Sequence, residues 1–438
     1  MPKGPAASAH GAAEPPFPIV KLSPRGVGRV KHGHPWVYRS DVYRSDIAAA
    51  VDIPPGATVC VLDPRGKFLG TALYSSSSQI AIRMISLEKV SDLPTLVAER
   101  IRAAIAYREQ FVEGTEAYRV VFSEADFLPG LIIDRYNDVL SVQILTQAMD
   151  AEPVRGAIIA TLVEELRPAG IVERIDPRIR ELEQLPPRQS GLLWGKKSAT
   201  VIAMNTAIGS APEASASRAL STSKASPDAT PPGIRFYYDA LEGQKTGAFL
   251  DQRENYAAAA RYAHGRALDV FCYQGGFALH LAPRCQSVTG VDSSRPALEM
   301  AEKNAALNFP GRELEWIEAN AFDLLRDYAA AARRYDTVVL DPPAFARTKR
   351  DLDKARSGYK ELNLRALKML APGGILVTCS CSFHLSAADF LEVVAAAAID
   401  AHKTLRLLDS RTQAKDHPIL VNVPETGYLK CMIFHVSN

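Results

Sequence analysis

Apolar positions follow three successive patterns along the chain. Between Ile19 and Ile85, short apolar runs separated by Gly and Pro turns predict the strands of a small β domain. From Asp92, apolar residues recur at helical spacing and then form strand-like runs, which predicts a compact α+β module. After residue 233, apolar strands alternate regularly with helical stretches. That alternation predicts an α/β domain whose parallel sheet is covered on both faces, with one more strand, antiparallel, at its far side.

A compositional break separates the last pattern from the others. Of the 28 residues in 206–233, 22 are Ala, Ser, Thr, Pro or Gly and none is aromatic, which is typical of a flexible loop. We therefore predict a disordered leader at 1–18, a β domain at 19–90, an α+β domain at 91–205, the flexible loop at 206–233 and an α/β domain at 234–438.

Composition and charge narrow the class of protein. The 438 residues include 51 Lys and Arg against 49 Asp and Glu, and 47% of the residues are hydrophobic, as in ordinary globular proteins. The sequence contains neither an apolar run of the ~18 residues that a membrane helix needs nor a signal-peptide core. Six scattered cysteines without a CxxC pair favour neither a disulfide framework nor zinc. We expect a cytoplasmic protein with no membrane and no metal partner.

Candidate ligand-binding residues follow the first two strands of the α/β domain, because such sheets bind ligands outside the carboxyl ends of their strands. The first strand ends near Asp269, with Gly275 and Gly276 after it, and the second ends at Asp292, 23 residues later. This spacing is typical of nucleotide sites, yet the GxGxxG that holds a pyrophosphate is missing. Acids around a looser turn suit S-adenosylmethionine, although both carboxylates could simply cap local turns.

The fourth and fifth strands end in groups that suit catalysis. Asp341 begins the run Asp-Pro-Pro-Ala-Phe, in which two prolines fix the backbone and Phe345 could stack on a flipped base. The fifth strand ends with Cys379 and Cys381, which alternate and so point the same way, and either could act as a nucleophile. In the plainer interpretation, Asp-Pro-Pro is a common turn and the cysteines are buried apolar residues.

These motifs resemble the class I S-adenosylmethionine-dependent methyltransferases, and more narrowly the bacterial 23S rRNA cytosine-C5 methyltransferases of the RlmI type. The resemblance covers nearly the whole chain from about Ile19. The matching motifs are GHPWVYRSDV (33–42), GQKTGAFLDQREN (243–255), DVFCYQGGFALHLA, DPPAF, TCSCS and HPILVNVPETGYLK (417–430). The resemblance implies a C-terminal Rossmann-like methyltransferase sheet, preceded by a PUA-like RNA-binding β barrel and a middle α+β domain.

The resemblance also implies roles for individual residues. It implies that Phe249, Asp251, Gln252 and Arg253 bind the methionine end of the cofactor, and that Asp292 binds its ribose. The other residues expected to bind the cofactor are Asp269, Tyr273 and Gly275 in the first loop, and Asn320, Asp341 and Pro342. Asn320 stands where the family has an acid that pairs with the adenine amine. Catalysis falls on Cys381 and Asp341, with Cys379 as the alternative thiol, and Phe345 contacts the substrate base.

The implied reaction places a methyl group on C5 of a cytosine after the thiolate of Cys381 adds to C6, while Asp341 shares a proton at N3. An alternative is methylation of an exocyclic base amine, which needs no thiol. A nicotinamide-dependent dehydrogenase and a non-catalytic RNA-binding module are further rivals. A dehydrogenase would need the GxGxxG that this sequence lacks. A non-catalytic RNA-binding module would not need the acids and the thiol described above.

RNA binding is expected from the first half of the chain. Residues 1–47 contain seven Lys and Arg against three acids, a local excess that could neutralise phosphates. Within it, Arg29 and Lys31 are candidate phosphate contacts and Trp36 is a candidate stacking platform. A solvated basic surface is the alternative. The expected partner is ribosomal RNA, with 23S rRNA favoured, and a homodimer is a further candidate assembly.

Overall fold

The computed structural model describes residues 17–43, 53–196, 200–205, 233–238, 248–346 and 348–437. Most of the predicted leader (1–16) and of the predicted flexible loop (206–232) lies outside the described residues. Residues 243–247, which begin one of the motifs quoted above, also lie outside them.

The first domain is a five-stranded sheet in the order β1-β3-β4-β5-β2. Its strands are β1 (Ile19–Lys21), β2 (Trp36–Tyr38), β3 (Thr58–Leu62), β4 (Phe68–Tyr74) and β5 (Ile80–Ser86), and its helix is α1 (Pro24–Lys31). The helix begins where the Ser23 hydroxyl accepts the N–H of Gly26 and Pro24 occupies the first turn. The apolar runs TVCVL, FLGTALY and IAIRMIS form β3, β4 and β5.

The second domain is a five-stranded sheet in the order β10-β9-β8-β7-β6 with helices packed against it. Its strands are β6 (Ala117–Phe122), β7 (Leu131–Tyr136), β8 (Val139–Ile144), β9 (Gly170–Glu173) and β10 (Gly191–Gly195), and its helices are α2 (Leu93–Phe111), α3 (Glu152–Leu166) and α4 (Pro177–Leu182). Two further strands, β11 (Thr200–Asn205) and β12 (Gly233–Tyr238), pair antiparallel on either side of residues 206–232.

The third domain is a seven-stranded sheet in the order β15-β14-β13-β16-β17-β19-β18. Its strands are β13 (Arg266–Val270), β14 (Ser287–Asp292), β15 (Glu315–Glu318), β16 (Tyr335–Leu340), β17 (Leu370–Ser380), β18 (Thr404–Arg411) and β19 (Lys430–Ser437). Its helices are α5 (Arg253–Tyr262), α6 (Gly276–Leu281), α7 (Arg295–Asn308), α8 (Ala321–Ala330), α9 (Leu352–Met369) and α10 (Ala387–Asp400). The first five strands of the order are parallel, which confirms the predicted α/β class.

One prediction about this sheet was wrong in detail. Strand β19 is antiparallel as expected, but it lies between β17 and β18 and not at the edge. The edge strand β18 went unpredicted because most of its residues are exposed, so no continuous apolar run marks it. Inserting β19 beside β17 brings the carboxyl end of β17 next to the start of β19, a juxtaposition that shapes the site below.

One buried apolar cluster spans the second and third domains. Ala117, Tyr136 and Val139 of the second sheet belong to the same apolar cluster as the helices α5 and α6. The ring of Tyr136 stacks on that of Tyr238 with centroids 3.6 Å apart.

Among the helices that the structure describes, none combines the length and apolarity that crossing a membrane would require.

Candidate active site

A cavity of about 560 Å³ opens at the carboxyl edge of the seven-stranded sheet, within the usual size range of small-molecule sites. It lies among the loops that follow β13, β14, β16 and β17. Eight of the residues to which the resemblance assigns roles line it: Phe249, Asp251, Gln252, Tyr273, Asp292, Asp341, Pro342 and Cys381. The predicted strand ends therefore do converge on one pocket.

The loop after β13 adopts a rare backbone conformation. Phe271 and Tyr273 have φ of 69° and 50°, values that bulky residues seldom adopt, and Gly275 has φ of 86°. Asp292 holds this loop, because its Oδ2 accepts the N–H of Tyr273 at 2.9 Å and its Oδ1 accepts that of Ser294, also at 2.9 Å. Strain of this kind, fixed by a carboxylate, is typical of a ligand-binding loop.

Asp269 lies beneath that loop and does not line the cavity. Its Oδ2 accepts the N–H of Ala278 at 2.8 Å, whereas its buried Oδ1 has no hydrogen-bond partner among the described residues. Burial is the main cause that raises the pKa of this carboxyl to about 8, opposed by the Ala278 hydrogen bond and aided by Asp341 and Asp292. In the structure, Asp269 therefore caps a local turn, which is the alternative to a direct contact with the cofactor.

Two hydrogen bonds fix the acidic groups on the opposite wall. Oδ2 of Asp251 accepts the hydroxyl of Tyr428 at 2.6 Å, and Oδ1 of Asp341 accepts the side-chain amide of Gln252 at 2.9 Å. Tyr428 is partly buried, and its burial, followed by the nearby Asp251 carboxylate, raises the pKa of its phenol well above the usual value. The phenol therefore stays protonated and acts as a donor.

The two candidate thiols have different surroundings. Cys381 lines the cavity, and its Sγ lies 3.8 Å from the carbonyl oxygen of Pro342. Cys379 is fully buried opposite Cys431 of β19, and burial raises the pKa of its thiol well above the usual value. The alternation expected of a strand fails here because β17 ends at Ser380, one residue before Cys381. Of the two thiols, Cys381 alone lines the cavity.

Comparisons with known proteins now identify the fold. Residues 144–434 match the family model of the S-adenosylmethionine-dependent methyltransferases, and residues 20–87 match that of a PUA-like domain. The chain belongs to the S-adenosylmethionine-dependent methyltransferases. Its cofactor is accordingly S-adenosylmethionine, and the cavity described above lies within the methyltransferase domain.

Individual relatives place the methyltransferase more narrowly. The chain is 36% identical over 423 residues to ribosomal RNA large subunit methyltransferase I of Shewanella denitrificans, covering 95% of this chain and 99% of that one. It is also 36% identical over 415 residues to the protein of the same name from Pseudoalteromonas translucida, covering 93% and 96%. This methyltransferase is therefore a member of that family. The crystal structure of SMU.776 complexed with SAH has the same fold, with a TM-score of 0.75, 19% identity and coverage of 96% and 100%.

The cavity suits a cationic, phosphate-free cofactor. Asp251, Asp292 and Asp341 all line it, and carboxylates favour ligands that carry ammonium and sulfonium charges. Gly276 lets the ring of Tyr256 pack closely against the loop, because a Cβ at Gly276 would lie 2.5 Å from that ring. Among the described residues, no group of three or more His, Cys, Asp or Glu side chains could hold a metal ion.

Arg253 does not reach the cofactor cavity of the methyltransferase. Its buried guanidinium lies 3.4 Å from Oδ1 of Asp416, whose Oδ2 accepts the backbone N–H of Arg119 at 2.8 Å. Burial alone would raise the pKa of Asp416, but His417, Arg253 and the Arg119 N–H together lower it well below its usual range. Arg253 thus ties the methyltransferase domain to the second domain, which differs from the expected contact with the methionine end.

Asn320 is exposed and lies outside the cavity lining. Its Oδ1 accepts the N–H groups of Phe322 and Asp323 at 2.9 and 3.3 Å, so it caps helix α8. The structure thus places Asn320 at a helix cap outside the cavity, which differs from the adenine contact that the resemblance implies.

Phe345 points elsewhere than predicted. Its ring lies 4.6 Å from that of Tyr359 on helix α9 and 6.0 Å from that of Phe322, and the residue does not line the cavity. The contact with Tyr359 of α9 holds the Phe345 ring away from the cavity. Pro343 and Ala344 line the cavity in its place.

Of the three residues of the PUA-like domain that were expected to bind RNA, one is exposed and two make contacts within the protein. Lys31 is exposed, as predicted. Arg29 lies 3.5 Å from the buried carboxylate of Asp41 and 4.8 Å from the centre of the Tyr38 ring. The indole of half-buried Trp36 donates to Glu124 of the second domain at 2.9 Å. Arg29 and Trp36 therefore stabilise the protein itself in this structure, which differs from the roles expected of them.

The cavity of the methyltransferase also contains residues that the sequence did not mark as candidates. Five aromatic residues line it without having been singled out: Phe236, Tyr256, Phe271, Phe277 and Tyr428. Tyr428 lies in the HPILVNVPETGYLK motif, so the resemblance offered a signal there. Phe271 and Phe277 lie in the DVFCYQGGFALHLA motif, so the resemblance offered a signal there as well. Phe236 and Tyr256 lie outside the quoted motifs, and no spacing distinguishes them from core residues.

Proposed function

We propose that this chain transfers a methyl group from S-adenosylmethionine to C5 of a cytosine in ribosomal RNA, with 23S rRNA favoured. The relatives named above are methyltransferases of ribosomal RNA of the large subunit, and a PUA-like domain precedes the methyltransferase domain. The observation that carries the proposal is that Cys381 and Asp341 line one cavity with the acidic cofactor-binding loops.

The proposed chemistry begins with the thiolate of Cys381. Carbon 5 of cytosine is a weak nucleophile until a thiolate adds at C6, which forms an Sγ–C6 bond and makes C5 enamine-like. When bound, S-adenosylmethionine supplies an electrophilic methyl group, which C5 then attacks. Loss of the C5 proton to a base lets the Sγ–C6 bond break, and the thiolate returns.

Asp341 has the proposed role of stabilising charge during the addition. A carboxyl group that shares a proton with N3 of the cytosine would stabilise the negative charge that develops on the ring. The Gln252 amide fixes Oδ1 of Asp341 at 2.9 Å, so the carboxyl group is oriented before substrate arrives. The strained loop at Phe271 and Tyr273, held by Asp292, supports the assignment of these residues to cofactor binding.

The substrate RNA is proposed to contact the exposed cations of the PUA-like domain. Lys21, Arg25 and Lys31 are exposed on or next to helix α1. Arg25 lies 3.4 Å from Asp41, and its side chain is 75% exposed, so it can still neutralise a phosphate. Homodimer formation stays a prediction.

A trapping experiment tests the proposed reaction. RNA that contains 5-fluorocytosine cannot lose the C5 substituent as a proton, so the enzyme should remain covalently attached after methyl transfer. We expect an adduct with the native protein and with Cys60→Ala, a control that removes a buried thiol of the PUA-like domain. Cys381→Ala should form none, and it should lose methyl transfer while still binding S-adenosylmethionine.

Two results would contradict the proposal. Full methyl transfer by Cys381→Ala would remove the thiol from the mechanism. Methylation of an exocyclic amine without any adduct would favour the alternative in which the Asp-Pro-Pro-Ala-Phe loop holds a base amine beside the methyl donor.

A further inference from the structure

Lys430 is a lysine buried directly behind the proposed nucleophile. It begins strand β19, is only 8% exposed, and does not line the cavity. Its Nζ donates to the carbonyl oxygens of Ser382 at 2.6 Å and of Tyr428 at 2.8 Å. A lysine has three N–H donors when protonated, so these carbonyls account for two of them. Burying an ammonium group is costly unless an opposite charge lies nearby.

The topology places Lys430 beside Cys381. Strands β17 and β19 pair antiparallel with Ser380 opposite Lys430, and Cys381 is the next residue after Ser380. Burial is the main cause that lowers the pKa of Lys430, to about 8, and the Cys381 thiolate acts in the opposite direction by favouring the charged amine. The lysine and the thiol therefore form a potential ion pair across the end of the sheet.

Other groups facing Cys381 favour the neutral thiol or leave its charge unchanged. The carbonyl oxygen of Pro342, 3.8 Å away, accepts from a thiol but repels a thiolate. Asp341, the residue before Pro342, adds a carboxylate to the same loop. Tyr359, whose hydroxyl lies 2.9 Å from Oγ of Ser382, has a pKa that is raised mainly by burial, so its phenol stays neutral. Among the groups named here, Lys430 supplies the positive charge that offsets the carbonyl and the carboxylate.

We propose that Lys430 is a positioning residue that holds Cys381 in its thiolate form before the RNA binds. The inference deepens the proposed function, on which its catalytic meaning rests. The proton of the Cys381 thiol passes to the neutral amine of Lys430, so that thiol and amine become thiolate and ammonium with no change in net charge. The two carbonyl contacts keep the ammonium in place while the thiolate attacks C6.

The test is the pH dependence of alkylation of Cys381 by iodoacetamide, followed by peptide mass spectrometry on the full chain without RNA. In the native protein we expect a midpoint below the ordinary thiol value of about 8.5. Lys430→Met should raise that midpoint by about one unit, which slows alkylation about tenfold at neutral pH. Lys430→Arg should restore part of the shift, because it returns the charge.

A matched control is Lys368→Met. Lys368 is an exposed lysine in the last turn of α9, next to the amino end of β17 and thus at the opposite edge of the sheet. This variant should leave the alkylation midpoint unchanged. Thermal unfolding and S-adenosylmethionine binding of each variant show whether the protein remains folded.

The outcomes separate the inference from the proposed function. An ordinary alkylation midpoint in the native protein overturns the inference without the use of any variant, and so does an unchanged midpoint in folded Lys430→Met. A shifted midpoint together with full activity of Cys381→Ala supports the ion pair and rejects the proposed mechanism.

Discussion

The side-chain amide of Gln252 donates to Oδ1 of Asp341 at 2.9 Å, and this bond joins two loops that are 89 positions apart. The amide is itself oriented, because its Oε1 accepts the side-chain N–H of Asn255 at 2.7 Å. Gln252 is only 2% exposed, so water competes little for the bond. The segment expected to bind the cofactor therefore also fixes the proposed catalytic carboxyl group.

Replacing Gln252 should slow methyl transfer more than it weakens cofactor binding. Gln252→Leu keeps much of the volume and removes a hydrogen bond to a charged group, which contributes about 1.5–3 kcal/mol. We expect a single-turnover rate about 10- to 100-fold lower, measured at saturating S-adenosylmethionine, because Asp341 loses its fixed orientation. The exposed Gln286 offers a control, Gln286→Leu, which should match the native rate. An unchanged rate in Gln252→Leu would show that Asp341 does not depend on this bond.

Tyr428 should contribute to cofactor affinity through Asp251. Its hydroxyl donates to Oδ2 of Asp251 at 2.6 Å, and both residues line the cavity. Tyr428→Phe removes this donor, so the Asp251 carboxylate loses its fixed position. We expect the Kd for S-adenosylmethionine to rise about tenfold, equivalent to about 1.4 kcal/mol, when measured by calorimetry. Tyr118→Phe in the second domain serves as the control, and equal affinities in the native and Tyr428→Phe proteins would contradict this role.

The sequence predicted the parts of this fold that depend on local pattern. Helix α7 (Arg295–Asn308) follows β14, as the predicted alternation of strands and helical stretches requires. The acids at the ends of β14 and β16 were expected at one pocket, because parallel strands end at the same edge of a sheet. Asp292 and Asp341 do line one cavity.

The remaining features depend on tertiary contacts that the pattern does not encode. Phe345 lies in the Asp-Pro-Pro-Ala-Phe run, but Tyr359 on helix α9 decides where its ring packs. Trp36 was expected to contact RNA, but Glu124 of another domain binds its indole. Lys430 looked like an ordinary strand residue, because its proximity to Cys381 arises only when β19 is inserted beside β17.

Salt dependence of RNA binding should separate the exposed cations from Trp36. Each Lys or Arg that neutralises a phosphate of single-stranded RNA contributes about 0.7 to the slope of log affinity against log salt. In a variant with Gln at all three of Lys21, Arg25 and Lys31, the magnitude of that slope should fall by about 2. Trp36→Phe, which loses the Glu124 hydrogen bond, should leave the slope unchanged. Filter binding at several salt concentrations provides the measurement. An unchanged slope in the triple variant would show that Lys21, Arg25 and Lys31 do not contact the RNA phosphates.

Asp269 should make the protein less stable as the pH rises. Its pKa is about 8 in the folded state and 3.8 in the reference state, so the folded protein binds the additional proton between these values. The free energy of unfolding therefore falls as pH rises from about 4 to about 8, by at most about 1.4 kcal/mol per unit from this group.

Asp269→Asn tests this relation without removing the hydrogen bond to Ala278, since an amide oxygen can still accept it. We expect the variant to lack this part of the pH dependence, and thus to gain stability relative to the native protein as pH approaches 8. Denaturant unfolding at pH 5, 6.5 and 8 provides the comparison. Parallel pH profiles for the two proteins would mean that Asp269 is ionised in the folded state, and the buried Oδ1 would then need a donor that the described residues do not supply.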